Sequence, residues 1–216
     1  MTNRMICATP WEVKALLPEQ LKTFWRPVTP QLPGDVVRAE NVDGVWRFYG
    51  GLCGDKHYLD ENRRCPFGQP GDVLAIKETW RASLGKAHDR PAIYVRYKAS
   101  PDIVSILLFE DDNLPDIRKR QATWRSPATM PRWAVRDGFV RPITDVRVVR
   151  VQRANKDDAK AAGIVLRPTE LFPRINTEDK RLQEFARVWQ ARYGTWSENP
   201  PAWGITIGGN DRCTMN

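Results

Sequence analysis

The chain has 216 residues and a mass of 24.8 kDa, enough to bury a sizeable core, and its 34 Lys and Arg against 26 Asp and Glu leave a formal charge of +8. The longest apolar run, residues 103–109, falls far short of the ~20 residues a membrane-crossing helix needs, so no membrane partner is expected. Seventeen prolines, where average usage gives about 11, and nine tryptophans favour short strands, turns and loops.

In chain order, Trp11, Val13, Leu16 and Leu17 follow a helical rhythm behind Thr9 and Pro10, which predicts a short helix over 10–17 with Thr9 as its N-cap. A proline-rich loop follows, then an aromatic and β-branched strand over 44–49. Residues 50–71 hold five glycines and read as a loop; 72–80 is an apolar strand entered through Pro70-Gly71, and 93–97 continues the sheet. The polar stretch 111–136 reads as a long excursion, and 143–151 returns to strand. Asn155 and Gly163 bracket a short helix over 156–162. Thr177 caps a longer one over 178–193, where Leu182, Phe185, Val188 and Trp189 recur at three-four spacing, and 203–207 closes the chain as a strand. The pattern is α+β in one domain spanning 1–216, with a helix ahead of the first strand and a small mixed barrel as the natural way to remove sheet edges.

Glycine-rich phosphate-binding motifs, His-Glu-x-x-His and Gly-x-Ser-x-Gly are all missing from the sequence, so no cofactor is expected. The first seven residues carry one basic residue and no apolar stretch of the kind a secretory signal needs, which points to the cytoplasm and to reduced thiols at Cys7, Cys53, Cys65 and Cys213. Cys53, His57 and Cys65 fit no common zinc spacing, and no metal is expected.

Three segments taken together resemble a known family. They are Ala15-Leu16-Leu17 with Lys22-Thr23 and Arg26; Cys65-Pro66-Phe67-Gly68-Gln69-Pro70-Gly71-Asp72-Val73-Leu74 running into Lys77-Glu78-Thr79-Trp80; and Trp124-Arg125-Ser126-Pro127 with Met130-Pro131-Arg132-Trp133-Ala134 and Ile143-Thr144-Asp145-Val146-Arg147-Val148. The chain is similar in these to prophage-encoded ASCH domain proteins of the PUA-like superfamily. The resemblance implies a PUA-like mixed β-barrel with flanking helices that binds RNA, single-stranded nucleic acid or a modified base or nucleoside. Some ASCH proteins hydrolyse the acetyl group of N4-acetylcytidine with a lysine, a threonine and a glutamate, and others have been linked to ribonuclease activity. The lysine matches Lys22; the threonine falls on Trp25 and the glutamate on Ala162. Neither can activate water, donate a proton or hold an oxyanion, so the resemblance implies a retained pocket without that chemistry unless Glu78 takes it over.

The expected binding residues are Lys22, Thr23, Arg26, Glu78 and Trp80, with a basic rim of Arg118, Arg120, Arg125 and Arg132. In that rim arginines for phosphate alternate with Trp124 and Trp133 for stacking. Glu78 has two readings, a carboxylate for a base edge or for catalysis with Lys22, and a structural ion pair to an arginine of 132–136. A module turned toward a host protein is the remaining alternative.

Overall fold

The computed structural model describes residues 3–30, 32, 36–50, 57–88, 90–108, 123–166 and 177–209, which form eleven strands and three α-helices. A mixed five-stranded sheet carries the fold. It is built from β1 (Asn3–Cys7), β2 (Thr23–Pro27), β6 (Val73–Lys77), β10 (Val140–Arg150) and β11 (Pro201–Ile207), in the order β1-β6-β10-β11-β2. Only the β1–β6 pair is parallel; the others are antiparallel. A second sheet joins β3 (Val36–Val42), β4 (Val45–Gly50) and β5 (His57–Arg63), and a third joins β7 (Trp80–Ala87), β8 (Arg90–Tyr97) and β9 (Ser100–Leu108). No helix of the described residues is long and apolar enough to cross a membrane.

The five-stranded sheet is covered on both faces, and strand alternation decides which residue goes where. Phe24 on β2 and Trp203 and Ile205 on β11 enter one core, where Trp46 of β4 meets Trp203 edge-on at 5.8 Å. Trp25 and Ala202, the next residues along, enter the other, beneath α2 (Lys156–Ala161) and α3 (Thr177–Tyr193). A Cβ on Gly204 would stand 3.3 Å from Arg147 Cγ and 3.4 Å from Trp25 Cη2, so a side chain there would crowd both. A third core belongs to the β7-β8-β9 sheet and packs Trp80, Ile93, Val95 and Tyr97 against Met130 and Ala134.

The local signals of the first two helices hold, whereas the third begins on Thr177 itself. α1 (Pro10–Leu16) starts with a full capping box, Thr9 bonding the Glu12 amide and Glu12 returning to the Thr9 amide, and Asn155 with Asp158 repeats that device on α2. Several strands depart from the sequence reading. β1 precedes α1, so the first described element is a strand, not a helix. The stretch read as a loop over 50–71 contains β5, whose sequence His57-Tyr58-Leu59-Asp60-Glu61-Asn62-Arg63 has no apolar alternation and which is held by backbone pairing to β4. The apolar run over 72–80 is two strands: β6 ends at Lys77, and Trp80 opens β7 in another sheet.

Strand pairing does not close the large sheet into a barrel among the described residues: β1 and β2 are its edges. A side chain spans them instead. Arg26 on β2 donates from Nη2 to the Cys7 carbonyl at the end of β1 (2.9 Å) and from Nη1 to Glu12 Oε1 on the intervening helix (2.7 Å).

Candidate functional site

Two adjoining cavities, of about 630 and 440 Å³, lie where α1, the end of α2 and α3 meet, and share Gln20, Ile164 and Val165 as a common wall. Glycine makes this meeting possible. Gly163, just past α2, has φ +78°, and a Cβ there would stand 2.7 Å from Ala15 Cβ and 3.1 Å from Leu21 Cβ. Only a residue without a side chain lets the α2 terminus lie this close to α1. The groove floor is apolar, with Trp11, Ala15, Ile164, Val188 and a Val165 that is 58% exposed.

Cations surround that floor. Lys14 on α1, Lys22 beyond it, Lys160 on α2 and Arg181 on α3 line the two cavities, and none makes an ion pair among the described residues. The carboxylates in the lining are Glu184, paired with Arg187; Glu19, 3.6 Å from Arg141; and Asp157. Lys22 is fixed at its backbone on both sides. Its N–H donates to Ala161 O, an end carbonyl of α2 (2.7 Å), and its carbonyl accepts from Ile207 N–H (2.8 Å), which leaves the side chain exposed. Excess unpaired positive charge over an apolar floor attracts an anion with a flat or apolar body.

Thr23, Trp25 and Ala162 line one shared cavity with Trp11, Phe185 and Trp189, so the positions the resemblance aligns with the threonine and glutamate are neighbours in space. That cavity measures only about 20 Å³, roughly one water's room. The Trp25 indole fills the region, edge-on to Phe185 at 5.9 Å and under the Arg147 guanidinium at 5.3 Å. The Thr23 hydroxyl is buried against Thr206 Oγ1 at 3.2 Å.

Arg26 is 7% exposed and committed to Glu12, Cys7 O and Trp25 O. Glu12 also takes Arg192 Nη1 at 2.9 Å. Burial alone would raise the Glu12 carboxyl, but the two guanidiniums and the Thr9 amide more than reverse this and hold it below its ordinary value.

Glu78 is 1% exposed and pairs with Arg136, whose Nε donates to Oε1 at 2.6 Å, while Oε2 is buried without a hydrogen-bond partner. Burial therefore dominates and pushes the Glu78 carboxyl up despite Arg136. Of the two readings of Glu78, the ion pair to the 132–136 segment describes its surroundings. Glu78 lines neither cavity to which Lys22 belongs. Lys22 adjoins Ile207, the partner of Ile143, whereas Glu78 lies past the far end of β6. Strand spacings put their backbones on the order of 20 Å apart, too far for one catalytic constellation.

Trp80 is fully buried and pairs through its backbone with Arg125; Arg132 is exposed at the head of a 3-10 turn, Arg132–Ala134. Both belong to the β7-β8-β9 side of the molecule, away from the groove. Arg118 and Arg120 lie outside the described residues, as does Cys53. No group of three or more His, Cys, Asp or Glu that could hold a metal ion occurs among the described residues. Sequence reasoning missed Lys14, Lys160, Arg181 and the Ile164–Val165 wall, because they come from separate helices with no shared local pattern. The one available signal was the position of Gly163 after a capped helix. No family model, curated protein or solved structure matches this chain.

Proposed function

We propose that the chain is a PUA-like module that binds single-stranded RNA or a modified nucleoside in the groove between α1, α2 and α3, without catalysing a reaction on it. The observation that carries this reading is the set of four cations, Lys14, Lys22, Lys160 and Arg181, that make no ion pair among the described residues, around an apolar floor wide enough for a base. Phosphates would take the cations and a base would lie on Ile164, Val165 and Trp11. The PUA-like assignment rests on the sequence resemblance, together with a mixed sheet whose edge strands are linked through Arg26. Absence of catalysis is supported by Trp25 and Ala162, which put an indole and a methyl where an amidohydrolase needs a hydroxyl and a carboxylate.

The test is a titration of a fluorescein-labelled 12-nucleotide RNA across 50–200 mM salt, comparing wild type with the Lys22→Ala/Arg181→Ala double variant. Each phosphate contact contributes about 0.7 to the slope of log affinity against log salt on a single strand, so loss of two should flatten it by about 1.4. Wild-type affinity and slope in the double variant would overturn the groove as the site. Release of acetate from N4-acetylcytidine by the wild type, abolished in Lys22→Ala, would overturn the non-catalytic reading.

A further inference from the structure

We infer that the outer face of the β7-β8-β9 sheet is a second contact surface for single-stranded nucleic acid, built on Arg81, Arg96 and Trp124. This surface is separate from the groove and does not rest on it.

Register brings the three together. Arg81 pairs directly with Arg96, which pairs with Val104, so the two arginines and Val104 share one face; Ser83, Tyr94 and Ile106 form the next row of that face. The opposite face holds Trp80, Ala82, Ile93 and Val95 and is the core. Arg125 bridges Trp80, which places its neighbour Trp124 on the Arg81 side, and the Arg81 guanidinium stands 4.8 Å over the Trp124 ring. Trp124 is nevertheless 39% exposed.

Two arginines directly opposite each other on antiparallel strands repel. A fold that needed only stability would set a carboxylate across from one of them. Neither Arg81 nor Arg96 makes an ion pair among the described residues, and Arg81 Nε is buried without a hydrogen-bond partner. Asp102 on the adjoining strand pairs with neither. A phosphate between the two guanidiniums would relieve the repulsion, and a base could stack on the open part of the Trp124 ring, already oriented by Arg81. A backbone of repeated phosphates with stackable bases fits that charge pattern and that ring; an acidic peptide fits the charges only.

The decisive variant is Arg96→Glu. It sets a carboxylate opposite Arg81, so the urea midpoint should hold or rise while affinity for the labelled 12-nucleotide RNA falls at least tenfold. Trp124→Ala should lower affinity at least fivefold, and a 4-thiouridine-substituted RNA should cross-link to the peptide containing Trp124. Wild-type affinity in Arg96→Glu, or cross-links confined to groove peptides, would overturn the proposal. Displacement of the RNA by poly-glutamate at equal charge concentration would also overturn it, in favour of an acidic protein. Because the groove variant is titrated in parallel, the two readings fail separately: a loss in Lys22→Ala/Arg181→Ala alone sinks the sheet surface, and a loss in Arg96→Glu alone sinks the groove.

Discussion

Two buried glutamates serve the two halves of this molecule in opposite ways. Glu12, between α1 and the edges of the large sheet, takes hydrogen bonds or ion contacts from Arg26, Arg192 and the Thr9 amide and hydroxyl on its two oxygens, and stays ionised below its ordinary range. Glu78, under the β7-β8-β9 sheet, is served on one oxygen by one arginine, which itself lies 4.5 Å from the Tyr97 ring centre and 4.2 Å from that of Phe139. Its carboxyl rises instead. Burial is severe at both sites, so the number of donors decides the direction in which each carboxyl shifts. The first site holds a fold together; the second is an under-satisfied pair that an apolar core could replace at little loss.

The largest effect should come from removing Arg26. Taking one partner from a buried ion pair leaves an uncompensated charge and costs about 3–5 kcal/mol. Here it also severs the side-chain link from β2 to β1. Arg26→Ala should therefore lower the urea midpoint far more than Arg136→Ala does. Equal losses would show that the two pairs are energetically alike and that donor count is not what separates them.

That contrast was only partly legible from sequence. Thr9 with Glu12, Asn155 with Asp158, and Gly163 announce helix ends through side chains acting within one turn, so α1 and α2 could be located from the residues alone. β5 and β9 could not. β5 has Tyr58 and Leu59 side by side before the polar run Asp60-Glu61-Asn62-Arg63, and β9 exposes Val104, Ile106 and Leu108 while turning Ser105 inward, so neither shows the apolar-in, polar-out pattern that marks a strand in a sequence. Arg26 looked like a ligand-binding residue beside Lys22 because spacing says nothing of Glu12 folding back over it. The groove cations were invisible for the same reason: Lys14, Lys160 and Arg181 become neighbours only once three helices pack.

Glycine sharpens the comparison at intermediate cost. Gly163 in the first half and Gly85 in the second both have neighbours within 3 Å of an added Cβ. At Gly163 the neighbour is the Cβ of Ala15 at 2.7 Å, with the Cβ of Leu21 just beyond at 3.1 Å, both held by packed backbone, and φ is +78°. Gly163→Ala should cost about 2 kcal/mol and constrict the groove, which chemical denaturation and RNA affinity would both register. At Gly85 the neighbour is the ring edge of half-buried Tyr94, 2.6 Å away, and the ring can swing at the expense of its hydrogen bond to Lys86 O. Gly85→Ala should stay within about 1 kcal/mol of wild type, because the lost chain entropy of glycine offsets part of the shift. Comparable losses at both sites would mean that the β7-β8-β9 sheet is packed as rigidly as the helix junction.

The smallest and most diagnostic effect is the pH dependence of stability. A carboxyl whose pKa is lowered by folding contributes stability above its unfolded pKa and loses it as pH falls through the folded one; a carboxyl whose pKa is raised does the reverse, losing its contribution as pH climbs from the unfolded toward the folded value. Glu12 belongs to the first kind and Glu78 to the second. Glutamine mimics the protonated acid at every pH. The deficit of Glu12→Gln should therefore widen as pH rises through the acid range toward 4.5, the ordinary value, and then stay level. Glu78→Gln should gain on wild type as pH rises above that same 4.5, by about 1.4 kcal/mol for each unit by which folding raises the carboxyl. Urea midpoints measured from pH 3 to 8 on the three proteins separate the cases. A Glu78→Gln deficit that grows with pH would place an ionised, fully paired carboxylate under the small sheet and remove the distinction between the two halves.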